Sequence, residues 1–160
     1  MNSKTDAEYR LRLAKGFQNE AEQDFQLQRW RSCVDNAQLA VENAGKAIIA
    51  IFEPVERTHN PAIKLRQLID KNLIDTSLLD DLNTALSAFD ELGFEEYFLT
   101  DYGDEEAYRD PWSLFSEEDA KKAMEITRQC LTVAEKFYQF HYPQSPPAGE
   151  NKENLESASR

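Results

Sequence analysis

At 160 residues the chain is about one domain long, and its 5 glycines and 6 prolines are too few for a turn-rich all-β fold. No window approaches the ~18 continuous apolar residues that a membrane span needs, so no membrane partner is expected. The formal charge of -12 divides into +1 over residues 1–74 (11 Lys+Arg, 10 Asp+Glu) and -13 over residues 75–160 (7 against 20), which excludes the counterion-release affinity behind general DNA or RNA binding.

The first element runs from about Asp6 to Leu27, where Leu13, Phe17, Ala21 and Phe25 recur every four residues in an amphipathic pattern. A break near Gln28 to Arg31 leads into a longer helix that reaches about Glu53 and stops at Pro54, which lacks the amide a continuing helix needs. Arg10, Arg12, Arg29 and Arg31 form the one basic patch, read as the solvated ends of these two helices. Asn60-Pro61 then reads as an N-cap with proline at the first helical position of a short helix through Leu65, Leu68 and Ile69. A fourth helix is capped by Asp75 or Thr76, shows Leu78, Leu79, Leu82, Leu86 and Phe89 on one face, and ends at Gly93.

Residues 94–115 mix acids with Phe94, Tyr97, Phe98, Tyr102, Tyr108, Trp112 and Phe115 and show neither helical nor strand period. They predict a long loop, pinned by its aromatics. Ser116 to Asp119 is a capping-box variant opening a last helix through Ala120, Ala123, Met124, Thr127, Leu131, Ala134 and Tyr138 to about His141, before Pro143. Residues 143–160 have nothing to bury and predict a disordered tail. Cys33 and Cys130 both fall inside helical patterns, which suits two reduced, buried thiols and a cytoplasmic location. The expected fold is an all-α, up-and-down bundle of four long helices and one short helix over residues 1–142.

The second helix carries the chemistry. Val34, Ala37, Val41, Ala44, Ile48 and Ile51 form one apolar arc, while Leu39, Ile49 and Ala50 sit opposite, among Asp35, Gln38, Glu42 and Lys46. A helix apolar on both sides is either central in its bundle or covered by a second chain, and the second chain, hence a homodimer, is the expectation. Glu42 and Lys46 are an i, i+4 pair in the better orientation, which as a surface ion pair is worth about 0.3 to 0.5 kcal/mol.

The run Ala37-Gln38-x-Ala40-Val41-Glu42-x-Ala44-x-Lys46-Ala47-Ile48-Ile49 resembles the signature helix of the HEPN family, the higher eukaryote and prokaryote nucleotide-binding helical domains. Thr58-His59-Asn60 is similar to that family's Thr-His-Asp/Asn turn, and Phe115-Ser116-Glu117-Glu118-Asp119-Ala120 to its Tyr-Thr-x-x-Asp-Ala. Together they cover roughly residues 6–141 in order. Gly45 departs from the family's Leu and costs up to about 1 kcal/mol of helix propensity unless close packing wants it. Tyr108-Arg109-Asp110-Pro111 matches the family's Arg-Tyr-Pro segment loosely, and the tail lies outside the pattern.

The resemblance implies either a metal-independent RNase or a binding module. The RNase form would need Arg followed after four to six residues by His, with His as acid or base and Arg stabilising phosphorane charge. Residues 52–54 before His59 are Phe, Glu and Pro, and residues 134–136 before His141 are Ala, Glu and Lys, so no RNase activity is expected. Phosphate-loop, Cys-x-x-Cys, His-Glu-x-x-His and Gly-x-Ser-x-Gly motifs are absent too, and Asp101, Asp104, Glu105 and Glu106 lack calcium-loop spacing. No cofactor or metal is expected. What the family implies is a non-catalytic homodimeric module of a toxin-antitoxin or stress-type system that lodges an ATP- or GTP-type nucleotide or docks a nucleotidyltransferase-like partner. Lys46, Thr58, His59 and Arg109 would contact phosphate or base, and Gln38 and Glu42 would orient Lys46 or cross the dimer seam. The alternative is a pure protein-interaction adaptor whose contact surface is the acidic aromatic loop, residues 94–115, with a basic partner.

Overall fold

The computed structural model describes residues 2–144, the side chains of residues 94–97 excepted. The described residues form an all-α bundle. Helix α1, Ser3–Gln26, opens on Asn2, whose side chain accepts from the Thr5 amide. Its buried line is Ala7, Leu11, Ala14 and Ala21, whereas Leu13, Phe17 and Phe25 of the expected row are half-buried. The correction follows from helix geometry: a row spaced by four drifts about 40° per step, so it cannot stay on one narrow seam, and small residues at the true 3.6 period take the interior. The chain turns at Gln28, which adopts the left-handed region at φ 56.

Helix α2, Trp30–Phe52, is the axis of the bundle. It packs mainly on α1 and on the last helix, α7 (Glu117–His141), and every residue from Ala40 to Ala50 is buried within the chain. Of the apolar second arc of α2, Ile49 and Ala50 are thus buried within the chain and Leu39 is half-buried. Most of that arc is accounted for without a second chain.

After α2, residues 53–61 double back along it. Asn60 accepts the Ala62 amide through Oδ1 at 3.1 Å, and Pro61 accepts from Leu65, opening α3, Ala62–Asp70. The return path explains Gly45. A Cβ at this position would lie 2.5 Å from Pro61 Cγ and 3.3 Å from Phe89 Cε1, so close packing does require glycine there. Helix α4, Thr76–Glu91, is capped by Asp75 on the Ser77 amide and buries Leu78, Leu82, Ala85, Ala88 and Phe89.

Residues 94–115 are not one long loop. They hold helix α5, Phe94–Tyr102, and a short helix α6, Pro111–Leu114, joined by a turn that an Asp104–Arg109 antiparallel bridge closes. Local capping settles structure here that no period announces: Asp110 caps α6 through the Ser113 amide at 2.9 Å, and Gly103 takes the left-handed φ of 74. The expected pinning is present in part, since Phe115 packs on the core while Phe98, Tyr102, Tyr108 and Trp112 are exposed; the side chains of Phe94 and Tyr97 lie outside the described residues. Helix α7 carries a full capping box, with Asp119 N donating to Ser116 Oγ at 3.2 Å and Ser116 N to Asp119 Oδ2 at 2.8 Å. The expectation for the tail falls, from residue 145 onward, outside the described residues.

Candidate functional site

Four-residue spacing puts Gln38, Glu42 and Lys46 on one stripe of α2, and the doubled-back connection supplies the rest of a cluster. Glu42 sits at its centre. Its Oε1 accepts from Lys46 Nζ at 2.5 Å, and its Oε2 meets His59 Nδ1 at 3.0 Å and accepts a long 3.4 Å bond from Gln38 Nε2. The row is interior rather than a surface ion pair: Gln38 has no exposed area, and Lys46 is only 7% exposed. Burial raises the stakes of every bond, because a charge out of water must be neutralised and hydrogen-bonded. Gln38 Oε1 has no hydrogen-bond partner among the described residues.

Of the cluster's members, only His59 reaches the surface, with about half its side chain in solvent. The neighbouring Thr58 is occupied by the turn itself: its hydroxyl accepts from the Asn60 amide at 3.1 Å and lies 3.2 Å from the Asn60 carbonyl, to which it donates. A cleft of about 150 Å³ opens beside this turn, lined by Ile49, Val55, Glu56, Thr58, Asn60, Ile63, Lys64 and Gln67. It is smaller than the roughly 300 to 1,000 Å³ typical of ligand pockets. Lys64, the cation on its wall, pairs with Glu53 at 2.7 Å.

Of the six residues expected to form a site, the structure joins Gln38, Glu42, Lys46 and His59 by hydrogen bonds, with Thr58 adjacent. Arg109 belongs to a different surface. Its backbone pairs with Asp104, and its guanidinium lies 3.4 Å from the Ser113 carbonyl. The second histidine, His141, ends α7, with Nδ1 at 2.9 Å from the Phe137 carbonyl and its ring 5.2 Å from Phe52. Phe52 stands ten residues along α2 from Glu42, a rise of about 15 Å, so the two histidines do not share a site.

The basic patch divides, Arg10 and Arg31 being half-buried and Arg12 and Arg29 exposed. Arg10 donates to Asn43 at 3.2 Å, Arg12 and Arg29 lie 3.9 Å from Glu8 and Asp24, and Arg31 donates to the Thr100 carbonyl at 2.7 Å. Arg31 is therefore a half-buried strut between α2 and α5 rather than a solvated helix end. Thr100, fully buried, completes the strut by donating to Asp35 at 3.1 Å. Burial pushes the Asp35 carboxyl above its ordinary range, and the Thr100 hydroxyl opposes that shift.

A central apolar helix with a polar stripe, crossed by a Thr-His-Asn connection and closed by a long capped helix, defines an all-α helical module. Residues 7–137 match the model of the HEPN domain, and the chain belongs to the HEPN domain family. No curated protein matches the chain. Sequence reasoning put Gln38, Glu42 and Lys46 on one stripe with Asp35 beside them, but gave Asp35 no role and did not single out Asn43 or Thr100, and these three polar side chains brace α1, α2 and α5; mid-helix Asn and Thr carry no distinctive sequence signal.

Proposed function

We propose that this HEPN domain is a non-catalytic binding module whose ligand is a protein. The observation that supports this most is the state of Lys46: its ammonium is buried and already paired with Glu42, so it has little left to offer a phosphate. Arg109, the other cation assigned to phosphate, stands on a separate surface. Neither histidine has an arginine at the RNase spacing, which supports a module without RNase activity.

A nucleotidyltransferase-like chain, as the family implies, is one partner class; a second copy of this chain is another, and it would use a face other than α2. The nucleotide reading has one supporting feature, the cleft beside Thr58 and Lys64. Thermal denaturation with ATP, GTP and their diphosphates separates the two readings. The protein-binding module keeps its melting temperature. A nucleotide site filled to a hundred times Kd adds about 2.7 kcal/mol, a rise of roughly 5 to 10 °C in a chain of this size.

A further inference from the structure

Residues 98–112 concentrate exposed aromatic surface. Tyr108 is 95% and Trp112 74% exposed, with Tyr102 also largely in solvent. Large aromatic rings normally sit inside, and a cluster of them on one short segment marks a contact surface. The backbone that carries them is held in place. The Asp104–Arg109 bridge fixes the turn through two 2.9 Å hydrogen bonds, and the Ala107 amide donates to Asp104 Oδ1 at 2.9 Å. Gly103 allows no replacement, because a Cβ there would lie 2.3 Å from the Arg109 carbonyl oxygen. Tyr108 itself is held at the strained φ of 53, directly before the bridging Arg109. Beneath, the Arg31–Thr100–Asp35 strut ties α5 to α2, and Pro111 is buried. A backbone fixed before contact leaves only ring freedom to be lost on binding, which suits interface anchors.

The surrounding charge selects the occupant. Asp101, Asp104, Glu105, Glu106 and Asp110 flank the rings, against Arg109 and the half-buried Arg31. A second copy using this patch in a twofold dimer would bring the same carboxylates face to face, whereas a cationic segment would be attracted. Trp112 already takes one guanidinium, that of Arg31 at 5.8 Å from the ring centroid, while most of its side chain remains in solvent. We propose that residues 98–112 are the docking surface of this module, and that the partner presents an arginine-rich segment whose guanidinium groups stack on Tyr108 and Trp112 and pair with the flanking carboxylates. This rests on the protein-binding reading above.

The test uses the full chain with Trp30→Phe, which leaves Trp112 as the single tryptophan to be excited selectively, titrated with an arginine–serine repeat peptide, its lysine counterpart and its glutamate counterpart. Expected are a change in Trp112 emission with the arginine peptide, weaker binding of the lysine peptide, none of the glutamate peptide, and affinity that falls with salt. By anisotropy of the labelled peptide, Tyr108→Ala and Trp112→Ala should each weaken binding about tenfold without lowering the melting temperature, since both side chains lie in solvent. Glu20→Gln with Glu22→Gln, which removes two exposed acids from α1, should leave it unchanged. Absence of binding, equal affinity for arginine and lysine peptides, or equal losses from the aromatic and the α1 variants would overturn the proposal. A nucleotide-induced rise in melting temperature would instead sink the underlying protein-binding reading, so the two failures are distinct.

Discussion

Glu42 shows most clearly how position alters the worth of a residue. On an exposed helix its pair with Lys46 would contribute a few tenths of a kcal/mol, but inside the bundle each partner is needed to neutralise the other. Glu42→Ala should therefore cost about 3 to 5 kcal/mol in urea denaturation, and Glu42→Leu with Lys46→Met should recover most of that loss. Additive losses in that cycle would mean the two side chains are not coupled. Gly45 makes the opposite case: helix propensity alone favours alanine by about 1 kcal/mol, yet the Pro61 contact predicts that Gly45→Ala destabilises by about 1 to 3 kcal/mol. The thiols add a pH effect. Burial, with Asp24 adding to it, pushes Cys33 up to about 11, and burial moves Cys130 in the same direction. A thiol held neutral in the fold stabilises below the unfolded value of 9.0, and that contribution is lost as pH climbs from there through about 11, at up to about 1.4 kcal/mol per unit. Denaturation at about pH 8 and about pH 10 should show a fall that is smaller in Cys33→Ala, and an equal fall would refute this origin.

Among the elements, those with a periodic apolar pattern behind a recognisable start were legible in the sequence, and the short helices of residues 94–115 were not. The α7 start was readable because Ser116 and Asp119 stand at the capping-box spacing, and Ser116→Ala should cost about 1 kcal/mol, measurable as a lowered urea midpoint. The α3 start was readable for a similar reason, the Asn60-Pro61 pair. Helix α5 escaped although it is as long as α3, because Gly93 opens it with no side-chain cap, and α6 because four residues give no period behind the Asp110-Pro111 pair. The seam of α1 was misread toward large side chains, when Ala7, Ala14 and Ala21 with Leu11 make up its buried line. At the site, spacing along α2 announced the stripe, but no local pattern could show that residues 53–61 return to it and bring His59 to Glu42.

For the molecule as a whole, a stripe of polar residues along an apolar helix has two explanations, a seam between chains or a network inside one. Here α1, α7 and the 53–61 connection enclose α2, and the stripe becomes the internal bracket of a bundle whose most exposed aromatic surface lies elsewhere, on residues 98–112. The proposed protein-binding role rests on that contrast, a buried and paired Lys46 against exposed rings flanked by carboxylates. The most direct test is a thermal melt of the purified chain with ATP, GTP and their diphosphates, alongside Lys46→Ala and Lys64→Ala. The account predicts an unchanged melting temperature with every nucleotide; a rise of roughly 5 °C or more that either substitution abolishes would contradict it and place a nucleotide at the α2 stripe or the neighbouring cleft.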